Sequence, residues 1–375
     1  MLRRRTLLQA GGALPLVAGS RAAVAQGASV PAGYPANYTA IIEGSRSEPP
    51  LIVYSSISNE EIAPQLARLR TLYPWIRVQH LENSGAGVIE RYQSDVGTNA
   101  ATASLLLAPG ADGWLRMVER NQIVDYRSPE AGNFLPATMP HPGLHRASND
   151  PIVFVWNKLL LPPALRPTSF ADLAAKVAAN PRVFDGKITG YSASLTGFGY
   201  NVIWHLAQRH GEQIWDWYKV LAPQTKFERS TGTVLEKVLA GEYVLGYYLA
   251  SKPIVAAIKN SRDVAQVLET GVMSDGTLLF SVEGAITAGG RSPNSARLLL
   301  DSILSKAGQI GLAKVGSLPA RTDLTAADVE GWQTMDELIR RVGGAGNIFY
   351  TTSDPKMLTD YRPFIERWNA MTGGR

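Results

Sequence analysis

The chain contains no cysteine. Structural disulfides, thiol nucleophiles, Cys-ligated zinc and a lipid-modified N-terminal cysteine are thereby excluded. Histidine is scarce, with only His80, His141, His145, His205 and His210. His141 and His145 are four apart, but Pro140 and Pro142 flank the first, so they do not present a helical metal pair. Neither a G-x-S-x-G elbow nor an H-E-x-x-H motif occurs, and the acids form no paired motif that spacing supports. Beyond the N-terminus no run approaches the roughly 18 apolar residues of a membrane span. These absences argue for a binding protein over an enzyme, and no metal or cofactor is expected.

What is present is a chain of 375 residues, 45% apolar and 18% charged, the composition of a soluble globular protein with two compact domains. Its start, Met1-Leu2-Arg3-Arg4-Arg5-Thr6-Leu7-Leu8, is followed by a weakly apolar run and by Ala23-Val24-Ala25. A basic head, an apolar middle and an A-x-A end read as a secretory signal over residues 1–25, cleaved before Gln26. Arg4-Arg5 points to the twin-arginine route, with an ordinary Sec signal as the alternative. Without that segment, 33 basic residues face 32 acidic ones, so no global basic field remains to attract nucleic acid. A protein free in the periplasm, and monomeric, is expected.

Residues 26–48 are rich in Ala, Gly, Pro and Ser and read as a flexible leader. Strand-like runs then alternate with helical ones. Leu51–Tyr54, Ile76–Leu81 and Ser104–Ala108 are each followed by a turn and a helix, the first opened by Ser58 and Glu61 at capping-box spacing. Ile152–Trp156 begins a second α/β unit containing the strands Lys187–Ser192 and Val244–Leu249. Leu278–Thr287 returns the chain to the first unit, and Ser292-Pro293 opens a helix there. The expected division is 49–151 with 283–375 as a discontinuous first domain and 152–282 as the second. The fold class is α/β, with mostly parallel sheets, helices on both faces and a cleft between the domains.

Four stretches carry a resemblance. They are Val53-Tyr54-Ser55, Thr196-Gly197 before a long helix, Ala240-Gly241-Glu242 before a strand, and the run from Val282-Glu283-Gly284-Ala285 through Ser305–Gln309 to Leu318–Asp323. In their order and spacing the chain resembles the type 2 periplasmic solute-binding proteins of ABC importers, in the group that binds ferric ion, phosphonates, sugar phosphates and thiamine. That resemblance implies two domains joined by β-linkers, a ligand trapped by hinge closure, and delivery to a membrane permease and its ATPase. An adaptor for a chemoreceptor or sensor kinase would use the same cleft.

In open α/β sheets, ligands lie beyond the carboxyl ends of the strands. Four turns at such ends precede helices and are rich in hydroxyls and glycine: Ser55-Ser56-Ile57-Ser58, Ser84-Gly85-Ala86-Gly87, Ser194–Gly199 around Thr196-Gly197, and Ser230-Thr231-Gly232-Thr233. Helix starts offer unpaired amides and a positive dipole end to an oxyanion, although Ser and Thr also cap helices with no ligand involved. Ferric-binding relatives keep a histidine after the first strand and a Tyr-Tyr pair after the Gly-Glu strand. By the resemblance these positions fall on Ser58 and on Ser251-Lys252, while Tyr247-Tyr248 lies four residues too early. An ammonium in place of a phenolate disfavours a trivalent cation, and it would suit a phosphate, phosphonate or carboxylate. Lys252 is therefore the principal candidate anchor, with Trp156 and Tyr248 as candidate walls, each also readable as core.

Overall fold

The computed structural model describes residues 29–109, 111–135, 141–352 and 354–374. The expected signal segment lies outside the described residues. After a first helix, α1 (Tyr38–Ser45), the strands β1 (Leu51–Ser55), β2 (Val78–Glu82) and β3 (Leu105–Ala108) alternate with α2 (Asn59–Leu72), α3 (Gly85–Gly97) and α4 (Ala111–Glu119). A long β4 (Leu144–Asn157) leads to α5 (Phe170–Ala179), α6 (Pro181–Phe184), β5 (Ile188–Tyr191), α7 (Gly197–His210) and α8 (Gln213–Leu221). Next come β6 (Thr225–Glu228), α9 (Thr231–Leu239), β7 (Leu245–Ala250), α10 (Ser251–Asn260), α11 (Arg262–Val267) and β8 (Leu268–Gly271). β9 (Thr277–Ile286) precedes α12 (Pro293–Leu304), α13 (Lys306–Lys314), α14 (Met335–Arg341), β10 (Ile348–Tyr350) and α15 (Lys356–Thr372).

The strands follow the order β2-β1-β3-β9-β4-β7-β5-β6, with β10 beside β9 and β8 beside β4. β1 is parallel to β2 and β3, and β5 is parallel to β6 and β7, which sets their following helices at one end of each half. β4 serves both halves: Leu144–Pro151 pairs with β9, and Ile152–Trp156 with β7. Separate apolar clusters fill the halves, one around Leu51, Val53, Leu105 and Leu299, the other around Phe154, Phe170, Ile203 and Tyr247.

Two expectations need correction. Part of the supposed flexible leader is structure: Tyr38 and Ile42 of α1 are buried against α12. The Glu48 carboxylate accepts from the amides of Asn294 and Ser295, capping α12 in place of Ser292, whose hydroxyl donates to the Pro49 carbonyl instead. The end of the chain, expected in the first domain, packs on the second half. Trp368 of α15 is buried there, with its ring against Tyr218 and Phe227.

The leader is pinned by Asp301, a buried carboxylate on α12 that accepts from the hydroxyls of Tyr38 (2.7 Å) and Tyr126 (2.6 Å). Burial pushes this carboxyl up from 3.8 to about 6, with the phenol donors opposing the shift. A raised carboxyl contributes stability that is complete below its unfolded value and is lost as pH rises through the folded one. Unfolding free energy should therefore fall by up to about 2–3 kcal/mol between pH 4 and 7 on account of this group. Asp301→Asn should flatten that part of the slope in urea titrations. Asp150, raised to about 6, and Glu283, raised by burial to about 8, titrate through overlapping ranges and account for a residual slope. An unchanged slope in Asp301→Asn would show that the carboxyl does not titrate there.

Candidate functional site

The crossing strands floor a cavity of about 110 Å³ between the halves. The first half contributes Ser56 and Ile57 from the β1–α2 turn and Glu61 from the first turn of α2, and the second contributes Lys252. Asp150 and Phe280 come from β4 and β9 beneath them.

On the first half, Ser56 donates its amide to the Leu107 carbonyl at 2.9 Å, tying the turn to β3. Ser55 is fully buried, and its hydroxyl accepts from the Ile57 amide. Ser58 caps α2 by accepting from the Glu61 amide at 3.3 Å. This is half of a capping box. In the full motif the glutamate side chain would reach back to the capping residue's own amide. Here it reaches across the cavity: Glu61 Oε2 lies 2.6 Å from Lys252 Nζ.

On the second half, the residue before α10 is Ala250, which has no side chain to cap with. Asp150, on the neighbouring strand, supplies the missing group: its Oδ1 accepts from Ser251 Oγ at 2.7 Å and from the Lys252 amide at 2.8 Å. Burial raises the Asp150 carboxyl to about 6, against the pull of these donors and of the Lys252 charge. Gly316, at φ +90°, lies against this helix start, where an added Cβ would meet the Lys252 carbonyl at 3.0 Å. The backbone of Lys252 is therefore fixed, and only its side chain is free to choose a partner.

The other expected residues separate into three groups. Thr196, Gly197, Ser230 and Thr231 start α7 and α9, at the same ends of adjacent strands as Lys252. Thr196 Oγ1 accepts from the Gly199 amide and Ser230 Oγ from that of Thr233, so Thr196 caps α7 and Ser230 caps α9. Tyr191 joins these two starts, with its hydroxyl on Thr231 Oγ1 and its ring against Phe198, which in turn meets Phe280. Ser84 caps α3, and Gly85 lines a different pocket, between α3 and α4. Trp156 and Tyr248 are core residues. Trp156 pairs with Leu245 at the far end of β7 and donates to Glu269. Tyr248 is stacked on Phe170 at 4.2 Å and is held at φ +55° where Phe154 opposes two residues, a β-bulge.

Sequence reasoning missed Glu61 as a cavity residue and missed Asp150 altogether. Glu61 was visible only as a capping partner. Asp150 stood at the edge of a Pro- and His-rich connection with no motif around it.

No family model matches the sequence, and no curated protein matches it either. Solved structures do. The substrate-binding protein of an ABC transporter from Agrobacterium tumefaciens is 17% identical, with a TM-score of 0.68 over 88% of this chain and 96% of that one. The fold is that of the two-domain periplasmic binding proteins. The IdiA/FutA protein of Trichodesmium, in complex with iron and citrate, is 19% identical over 86% of this chain and 99% of that one, at a TM-score of 0.65. AfuA of Actinobacillus pleuropneumoniae, with fructose-6-phosphate bound, is 20% identical over 86% and 98%, at 0.60. Among the described residues, no helix is long and apolar enough to cross a membrane.

Proposed function

We propose that this chain is the exported, periplasmic binding component of an ABC-type importer. In this reading it captures a small oxyanion, phosphonate or phosphate ester ahead of carboxylate, in the cleft between its halves and hands it to a permease. The observation that carries the ligand class is Lys252, a cation on the cavity wall at the first turn of α10. Two further helix starts, those of α7 and α9, lie at the same ends of β5 and β6, where first-turn amides suit anionic oxygens.

Ferric ion is the alternative, and the tyrosine pair it would use speaks against it. Both rings of Tyr247 and Tyr248 are buried, and the Tyr247 hydroxyl is bonded to Thr225. Lys252 lines the cavity instead, and Ser251 is buried with its hydroxyl on Asp150. The proposed lobes are residues 49–151 with 283 to about 350, and 152–282 together with α15, hinged on β4 and β9.

A thermal-shift screen of the mature protein against phosphonates, sugar phosphates, carboxylates, amines and Fe(III) tests the ligand class. A ligand at a hundred times its Kd should stabilise the native state by about 2.7 kcal/mol. Stabilisation by phosphoryl compounds supports the reading. A response confined to amines or to Fe(III) sinks the oxyanion and leaves the binding protein standing.

A further inference from the structure

The cation on which the oxyanion reading depends already has a partner. Lys252 belongs to the second half and Glu61 to the first, yet their charged atoms are 2.6 Å apart across the cavity both residues line. Neither side chain is free in solvent: Lys252 is 26% exposed and Glu61 33%. The geometry also shows that each was drawn away from a local alternative. Glu61 leaves the capping position it would take on α2. Lys252 sits beside Asp150, but Asp150 holds the Lys252 amide while Nζ reaches the opposite half.

We infer that Glu61 is a built-in occupant of the anion position, holding Lys252 and thereby bridging the halves while the cleft is empty, and giving way when an oxyanion binds. The bridging stands on the ion pair alone; the competition rests on the reading of Lys252 proposed above. A consequence for selectivity follows from charge. A monocarboxylate arriving at Lys252 replaces one carboxylate by another and gains little. A phosphoryl group, carrying up to two charges and three acceptor oxygens, gains contact with the ammonium that Glu61 cannot match. Glu61 thus sets a threshold that favours phosphoryl compounds over simple carboxylic acids.

Small-angle scattering and calorimetry on the unliganded mature protein test the two parts separately. Glu61→Gln should give a larger radius of gyration than the wild type. The exchanged pair, Glu61→Lys with Lys252→Glu, should return it to the wild-type value, because the attraction is restored with its direction reversed. A radius unchanged in Glu61→Gln, or not restored by the exchange, overturns the bridging role. With inorganic phosphate and methylphosphonate as probes, Glu61→Gln should bind about tenfold more tightly, since removing a like charge at contact range outweighs the loss of one half-buried ion pair. Equal or weaker binding by the variant overturns the competition. Absence of binding to both proteins overturns the oxyanion reading and the competition with it, whereas the scattering result still judges the bridge.

Discussion

Lys252→Ala should weaken binding of the preferred oxyanion by about 2–3 kcal/mol, a loss of roughly 30- to 150-fold in affinity. The size follows from what remains after truncation. The amide of residue 252 is committed to Asp150, so the side-chain ammonium is the only group this residue can offer a ligand. Removing it leaves Glu61 unpaired on the cavity wall, where its charge repels the anion it formerly made room for. Removing one member of a shielded charge pair costs more than the pair's own net worth for that reason. Lys252→Arg should recover only part of the loss, because a broad planar guanidinium does not fit the place of a compact ammonium on a flexible four-carbon stem.

Calorimetry with the strongest phosphoryl ligand of the screen reads the effect, and the melting temperature serves as the control. Lys252 is at a partly exposed helix start, so the variant should melt close to the wild type. A loss below twofold, with folding intact, would mean that Lys252 serves Glu61 and not a ligand.

Much of this arrangement was legible in the sequence, and the illegible part has physical reasons. The strands β1, β3 and β7 are largely apolar runs bounded by turn residues, and the capping serine at 58 stood where its spacing from Glu61 placed it. The position of Lys252 at the end of a strand could be counted from Gly241-Glu242. Three short strands escaped notice: β6 (Thr225–Glu228) and β8 (Leu268–Gly271) have a single apolar residue each among polar ones, and β10 has only three residues, so they are defined by their neighbours. The leader was misread because its composition is that of a linker, while its order comes from two contacts distant in sequence, Tyr38 with Asp301 and Glu48 with α12. Trp156 and Tyr248 were offered as cleft walls because aromatic residues have the same appearance in a core and in a binding site. Which end of β7 Trp156 lies against, and the bulge that turns Tyr248 inward, depended on the register between β4 and β7. Glu61 shows the same limit at the site itself. A glutamate three residues after a capping serine has a sufficient local explanation, and only the fold brings a lysine nearly 200 residues away within its reach.

Trp368→Ala should cost the second half about 3–5 kcal/mol of stability, although the residue lies seven positions from the last one in the chain. The indole is fully buried, its ring 4.9 Å from Tyr218 and 5.3 Å from Phe227, centroid to centroid. Its Nε1 donates to Ser192 Oγ at 3.1 Å, in the turn that leads from β5 to α7. Truncation would leave a large cavity among aromatic groups that cannot collapse into it, and would remove one donor from that hydroxyl, which also accepts from the Ser194 amide. The helix has further anchors: Trp204 donates to Asp360, Trp215 packs on Phe364, and Arg367 pairs with Glu212. They should keep α15 docked in the variant, so the loss is expected as weakened packing and not as an undocked helix. Trp368→Phe separates the terms, retaining most of the ring contact and forfeiting the hydrogen bond, for about 1–2 kcal/mol. Urea unfolding followed by tryptophan fluorescence and by far-ultraviolet circular dichroism measures both variants. If Trp368→Ala unfolds at the wild-type midpoint, α15 is an appendage and not a part of the second half's core. The expected result makes the C-terminal helix part of the second half's core. It also places its anchor on the turn that leads from β5 into α7.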